Sequence, residues 1–164
     1  MGFSRIPVVI RRAFPAAIAC AVVVAAGTAD GQELKFQYAA KFVCGKASTG
    51  APVAPGFYFT AINVHNPSLI AANPLRKKFA VALPGEKVGQ ISPFTPETLK
   101  ADEAMEIDCP DIAKHLGLTA GTFVKGFAVI QSFAELDVVA VYTAAATLAG
   151  PVAAMMLERV PKRP

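Results

Sequence analysis

The sequence has little of the chemistry that marks an enzyme. It contains no tryptophan, two histidines and three cysteines among 164 residues. It has no glycine-rich phosphate loop and no zinc-binding His-Glu helix, and no serine, histidine and aspartate set can be singled out. The spaced aspartates of an EF-hand calcium loop are also missing. We therefore expect a protein that is not an enzyme and that uses no cofactor.

The excess of positive charge is confined to the start of the chain. The sequence has 16 lysines and arginines against 12 acidic residues. Arg5, Arg11 and Arg12 precede every acid, the first of which is Asp30. Without these three arginines the chain has 13 basic and 12 acidic side chains, a net charge of +1. A balance this close to zero gives no reason to expect a nucleic-acid partner.

The first 26 residues have the layout of a secretory signal peptide. Three arginines are followed by an apolar run over residues 13–26 and by small residues, which allow cleavage after Ala26 or Ala29. The run is shorter than the roughly 20 residues that span a membrane, so we expect its removal and no integral membrane segment afterwards. Arg11 and Arg12 resemble a twin-arginine (Tat) signal, but two arginines serve any signal peptide, which favours Sec export. These features predict a periplasmic or secreted protein.

Residues 34–164 are predicted to form one domain of antiparallel strands. Short runs that alternate between apolar and polar residues are separated by connections rich in glycine and proline. The predicted strands cover residues 36–44, 57–66, 76–84, 103–109, 123–131, 136–144 and 153–160. Residues 84–98 contain five glycines and prolines and are predicted to be a loop.

The order of the elements predicts a sandwich. One short helix is expected over residues 110–117, with Gly117 as its stop. Residues 132–135 connect strands 123–131 and 136–144 and predict a hairpin. Without strand–helix alternation, the pattern favours an all-β, immunoglobulin-like antiparallel β-sandwich of about seven strands with one short helix at one end. Because tryptophan is absent, we predict this architecture and not membership of the antibody superfamily.

The cysteines differ in position. Cys20 lies inside the predicted signal peptide, whereas Cys44 and Cys109 lie on the inward faces of two predicted strands. Two such cysteines in an exported chain predict a disulfide. Closing a loop of about 65 residues stabilises the fold by roughly 4 kcal/mol. Because Cys109 directly precedes Pro110 at the predicted helix start, where a thiolate is favoured, a nucleophilic role is an open alternative.

The polar face of strand 57–66 carries candidate ligand residues. Asn63 and His65 share this face, beside the turn formed by Asn66 and Pro67. His65 could serve a function, or its side chain could bond the turn.

Charged residues on two other strands have structural interpretations. Arg76, Lys77 and Lys78 begin a strand and are interpreted as protection of a sheet edge. Glu106 and Asp108 alternate with apolar residues and are expected to face solvent.

Seven segments carry a resemblance to other proteins. They are YAAKFVCG, AINVHNP, RKKFAVALPGEKVG, EIDCPDI, KGFAVIQS, LDVVAVYTA and LERVPKR. This series, over residues 36–163, resembles a group of uncharacterised exported bacterial proteins that share a Lys-Phe-Val-Cys-Gly start, an Asn-x-His-Asn-Pro turn and an Asp-Cys-Pro element. The resemblance implies an exported all-β domain and includes Cys44 and Cys109 in its pattern. It implies no activity or ligand.

Two functions are predicted. The first is an exported, non-enzymatic β-sandwich that presents a surface to another protein or to an envelope component. The second is a periplasmic metal-binding or redox accessory protein that uses Cys44, His65, Cys109 and His115, which are residue types that bind copper or zinc. No metal is expected in the first case. The spacing of the four residues matches no compact copper loop, which favours the first function.

Overall fold

The computed structural model describes residues 34–51 and 53–163, which form ten strands and one helix. The elements are β1 (Phe36–Ala47), β2 (Gly56–His65), β3 (Asn73–Ala82), β4 (Val88–Ile91), β5 (Thr95–Leu99), β6 (Ala104–Asp108), α1 (Cys109–His115), β7 (Val124–Ser132), β8 (Asp137–Ala145), β9 (Val152–Arg159) and β10 (Lys162–Arg163). The predicted signal peptide over residues 1–26, both of its cleavage sites, and Cys20 lie outside the described residues.

The strands form two antiparallel sheets that pack face to face. Sheet A contains β3, β7 and β1, with β4 and β5 along β3 and β10 along β1. Sheet B contains β2 and β8, with β6 along β2 and β9 along β8. The core lies between the sheets, and its largest fully buried side chains include Tyr38, Phe42, Ile62, Phe79, Ile107, Ile112 and Ile130. The predicted all-β sandwich is confirmed.

Strand β1 belongs to both sheets. Its residues from Phe36 to Cys44 pair with β7, and the next three residues pair with β2. The change of partner occurs at Gly45, which has a φ of +88°. A side chain there would collide with the carbonyl of Thr122. Glycine is therefore required where the strand passes from one sheet to the other.

The predicted disulfide between Cys44 and Cys109 is confirmed. Their Cα atoms are 5.6 Å apart, and Cys44 is 3% exposed. The bond joins the end of the sheet A portion of β1 to the first residue of α1, which follows β6 of sheet B. The disulfide thus links the two sheets covalently, next to Gly45, where β1 stops pairing with β7 and begins to pair with β2.

The helix forms largely as predicted, one residue earlier at its start. Asp108 caps it by accepting a hydrogen bond from the backbone N–H of Asp111 at 2.9 Å, and the Asp111 carboxylate accepts one in return from the N–H of Asp108. Ile112 and Leu116 are buried against the core. Asp108 therefore acts as a helix cap and does not simply face solvent as the alternation predicted.

The predicted hairpin between β7 and β8 is wrong, because these strands lie in different sheets. Residues 133–136 cross from one sheet to the other. The backbone N–H of Leu136 donates to the Tyr38 hydroxyl at 2.8 Å, and the Asn73 amide donates to the carbonyl of Ala134 at 3.0 Å. A short connection between two strands usually indicates a hairpin. Here hydrogen bonds with Tyr38 and Asn73, two side chains of sheet A, direct the connection from sheet A to sheet B instead.

Two further expectations fail at β3. Residues 84–98 are not only a loop, since β4 and β5 form there as short outer strands that tolerate glycine and proline. These two strands and β10 explain why the observed number of strands exceeds the prediction of about seven. Because β3 is covered by β7 on one side and by β4 and β5 on the other, Lys77 does not protect an edge. It points inward, is 5% exposed, and forms an ion pair with Glu97 at 2.7 Å.

None of the helices in the described part of the chain has the length and apolar character needed to cross a membrane.

Removing the disulfide tests how much it contributes to the stability of the fold. In the Cys44→Ala/Cys109→Ala variant, we expect the free energy of unfolding to fall by about 4 kcal/mol, because the unfolded chain regains the freedom of the closed loop. Urea denaturation measures the change. A reducing agent should shift wild type in the same direction and leave the double variant unaffected, and equal stability of wild type and variant would contradict the assignment.

Candidate functional site

The bonded state of the cysteines limits their chemistry. Thiolates are the nucleophiles and metal ligands of cysteine, and neither sulfur is a thiolate in the disulfide. The Cys109 sulfur also accepts a hydrogen bond from the backbone N–H of Thr60 at 3.2 Å. Within this bonded structure, Cys109 joins β6 and α1 to the core of the sandwich and has no free thiol to use in catalysis.

His65 lies between two carboxylates at the end of β2. Its Nε2 is 3.1 Å from the Asp102 carboxylate, and its Nδ1 is 3.6 Å from that of Asp137. Asp137 also accepts a hydrogen bond from Arg159 at 2.8 Å. The ring of His65 thus lies between these two carboxylates on the outer face of sheet B, and its partners are the carboxylates and not the turn after β2.

Asn66, beside His65, organises the loops at this end. Its side chain is fully buried, and its amide donates to the carbonyls of Ala71 and Lys100, each at 2.8 Å. Its carbonyl oxygen accepts from the backbone N–H of Ser68. By contrast, Asn63 is exposed on the outer face of β2. Asn66 therefore connects three stretches of chain, which is a structural task.

His115 lies at another place in the molecule. Its Nδ1 is 2.8 Å from the carbonyl of Asp111, and its ring centroid is 5.1 Å from that of Phe79. It lines a polar cavity of about 480 Å³ together with Lys77 and Glu97. The buried ammonium of Lys77 already has the Glu97 carboxylate as its partner.

The structure does not bring the residues of the metal hypothesis together. Among the described residues, no three histidines, cysteines or acids form a group that could hold a metal ion. Cys44 and Cys109 are adjacent, whereas His65 contacts Asp102 and Asp137 and His115 lies in the polar cavity.

A second cavity, which we call the lateral groove, opens where sheet B extends beyond sheet A. Its volume is about 360 Å³. It is lined by Lys41 and Val43 of β1, Tyr58 and Phe59 of β2, Tyr142, Thr143 and Ala144 of β8, and Ala154, Met155, Met156 and Glu158 of β9. Most of these side chains are apolar. The groove therefore suits an apolar ligand with few polar groups.

The register of sheet B explains why the lateral groove is open. Thr60 lies opposite Tyr142, which lies opposite Met156, so these three side chains share the inner face of the sheet. Strand β1 covers Thr60, whose hydroxyl forms hydrogen bonds with the backbone N–H and carbonyl of Val43. Within the described residues, no strand of sheet A lies over β9, so Met156 is 60% exposed despite facing inward. The groove occupies the place of a strand that sheet A lacks in the described chain.

The wall formed by β1 has unused hydrogen-bonding capacity. On the side of β1 away from β7, β10 pairs with Gln37 and Tyr38, and β2 pairs only from Gly45 onward. The N–H and carbonyl of Val43 on this side are held by Thr60. The N–H and carbonyl groups of every second residue in a strand point to the same side. Those of Ala39 and Lys41 therefore also face this side, where no strand in the described part of the chain pairs with them.

One side-chain hydrogen bond joins two residues in the lining of the lateral groove. The hydroxyl of Tyr142 donates to the Glu158 carboxylate at 2.9 Å. Burial, reinforced by this carboxylate, raises the pKa of Tyr142 above its ordinary value, because an anionic phenolate would be poorly solvated and would face a negative charge. The phenol therefore stays a neutral hydrogen-bond donor at physiological pH.

The sequence prediction missed the lateral groove. It placed the candidate site at His65 and the cysteines, because those residue types carry recognisable chemistry. The signal for the groove was present in the segment VAAMML, residues 152–157, which is apolar on both faces of a predicted terminal strand. A strand at the outside of a sheet that is apolar on both faces leaves apolar surface in solvent.

Comparisons of the chain with protein-family models, with curated proteins and with solved structures gave no match. The geometry described above is therefore the basis on which a function is proposed.

The role of Asn66 can be separated from that of its neighbour. Asn66→Ala should lower the free energy of unfolding by about 1–3 kcal/mol, because the carbonyls of Ala71 and Lys100 lose the buried amide that donates to them. Asn63→Ala, an identical change on the exposed face, should shift it by less than about 0.5 kcal/mol. Urea denaturation of both variants measures the difference, and equal effects would contradict a structural role specific to Asn66.

Two tyrosines with raised pKa values predict a loss of stability in alkali. Burial also raises the pKa of Tyr38, so both Tyr38 and Tyr142 stay protonated in the folded protein at pH values where an unfolded tyrosine ionises, about 10. Their contribution is complete below that pH and is lost as the pH rises through the folded-state pKa.

The Tyr142→Phe variant tests this linkage. Its stability should fall less steeply than that of wild type above about pH 10, since one of the linked ionisations is gone. Urea denaturation at a series of alkaline pH values gives the slopes. The absence of tryptophan lets phenolate absorbance follow the same ionisation directly, and identical slopes for the two proteins would refute the assignment.

Proposed function

We propose that the mature chain is an exported, non-enzymatic binding domain whose lateral groove receives an extended, apolar segment of a partner protein of the cell envelope. The observation that carries this proposal is the inner face of β9, which no described residue covers, opposite a stretch of β1 that no described strand pairs with. An apolar floor beside unpaired backbone groups is the arrangement that binds an added strand.

The groove offers contacts to both the backbone and the side chains of such a segment. Its backbone would pair with Ala39 and Lys41 of β1, and alternate side chains would pack on Met156 and Ala154. The partner's remaining side chains would face away from the floor. Lys41 and the Tyr142–Glu158 pair border the groove and supply the polar contacts that would set the direction of the segment.

Export to the periplasm or to the outside of the cell is part of this proposal. The disulfide supports it, since such bonds persist in oxidising compartments. The composition of residues 1–26 supports it as well, because it is typical of a signal peptide. The Cys44–Cys109 bond is assigned a structural role here, because Cys44 is buried and shielded from attack by another thiol.

Site-specific photocross-linking in the cell envelope tests the proposal. A photoreactive residue in place of Lys41, on the wall of the groove, should form an adduct with a partner protein. The same residue in place of Lys87, an exposed lysine on the connection before β4, should not. The segment cross-linked at position 41 is then synthesised as a peptide, and its binding to the purified domain is measured by calorimetry.

The peptide should bind wild type and lose at least about tenfold in affinity for Ala154→Glu, because a carboxylate would be placed on the apolar floor. Val88→Glu, the same charge on an exposed position of β4, should leave the affinity unchanged. The absence of a specific adduct at position 41, or equal effects of the two glutamates, would overturn the assignment of the groove.

A further inference from the structure

The edges of the two sheets differ in their protection against pairing with another chain. Three edge strands are short: β4 has four residues, β6 has five and β10 has two. β5 also has five residues and contains Pro96 and Glu97. Short strands, prolines and charges are the features by which natural sheets avoid joining edge to edge. These four strands are therefore poor templates for a further strand.

Strand β9 has none of this protection over most of its length. It has eight residues and is the longest edge strand in the part of the chain that the structure describes. Residues 152–157 contain no proline and no charge. Both faces are exposed as well, with Met155 at 74%, Met156 at 60% and Leu157 at 67%. One edge of β9 pairs with β8, and the other has no strand beside it among the described residues.

We infer that β9 is a self-association edge, through which two copies of the mature chain pair antiparallel to form a symmetric dimer with one continuous sheet. A second copy fits this edge because it brings a strand of equal length and equal apolar character. A two-fold axis perpendicular to the sheet makes the contact isologous, so the interface closes after two chains and does not build a filament.

Charge supports this pairing. With Met155 or Met156 at the two-fold axis, the uncharged residues 152–157 occupy the centre of the interface. In the register centred on Met155, Glu158 of one copy lies opposite Val152 of the other. No like charges are then placed directly across the strands, where they would oppose association.

The apolar area that this contact can bury is smaller than that of a standard stable interface. Val152, Met155, Met156 and Leu157 are 59–74% exposed, and burial of four such side chains removes on the order of 300 Å² per copy from water. The paired strand edges add to this area. The total lies below the roughly 800 Å² per partner of a standard stable interface. The pairing is therefore a weak dimer with a dissociation constant of about 1–100 µM.

The dimer also has a consequence for the lateral groove, although it does not rest on the proposed binding function. A two-fold axis perpendicular to the sheet leaves the inner faces of both β9 strands on the same side. The two apolar floors then adjoin, and the two β1 walls lie on either side of them. Two grooves become one wider channel.

Sedimentation velocity of the purified mature chain tests the dimer. The weight-average mass of wild type should rise from that of a monomer toward that of a dimer between about 1 and 100 µM. Met155→Lys/Leu157→Lys should weaken dimerisation at least about tenfold, because each copy brings two charges into the pairing. Val88→Lys/Ile91→Lys is the matched control, since it makes the same two changes at exposed positions of β4. It should behave as wild type does.

Cysteine cross-linking provides a second measurement that does not depend on charge. Residues directly opposite each other in an antiparallel pair are about 4.5–5.5 Å apart at Cα, within disulfide reach. Under oxidation, Met155→Cys or Met156→Cys should therefore yield a covalent dimer, whereas Val88→Cys should not.

Thermal melting first establishes that each variant is folded. A monomeric wild type at about 100 µM would overturn the inference. So would equal effects of the β4 and β9 charge pairs, or the absence of cross-linking at both Met155 and Met156. None of these outcomes bears on binding of a partner peptide in the groove, so the two proposals can fail separately.

Discussion

The structure depends on the passage of β1 from sheet A to sheet B. Up to Cys44 the strand pairs with β7, and from Gly45 it pairs with β2. The disulfide to Cys109 and the hydroxyl of Thr60, bonded to Val43, hold the strand at this place. Because β1 is shared, the part of sheet A that the structure describes has no further strand over the outer part of sheet B. The closure of the sandwich at one end and the opening of the lateral groove therefore have the same cause.

Much of the fold could be predicted from local patterns. The alternation around Phe42 and Ile62 identifies inward faces, and the positions of Cys44 and Cys109 on such faces predict their bond. Pairing partners are less accessible, because they depend on contacts between distant residues. The connection after β7 resembles a hairpin loop until Tyr38 is known to accept a hydrogen bond from Leu136. Lys77 looks like an edge residue until Glu97 is brought beside it.

The candidate site was harder to predict than the fold. Histidine and cysteine draw attention because few residue types share their chemistry, yet His65 and the two cysteines have partners within the domain. The lateral groove consists of ordinary apolar residues such as Val43 and Met156, and what distinguishes them is exposure. These residues are exposed because no described strand packs opposite them. The packing of the two sheets cannot be predicted from a single sequence. The resemblance to exported bacterial proteins stays a prediction.

The pairing of β1 with β7 also affects how the chain can acquire its structure. Cys44 pairs with Val124 and Phe36 with Ser132, partners that follow 80 and 96 positions later in the sequence. A chain that is synthesised from its N-terminus produces β1 long before β7. The first strand must wait without its main partner, so folding requires the closure of a long loop and proceeds slowly. The strand that the two finished sheets share is thus also the segment that depends longest on protection from aggregation during synthesis.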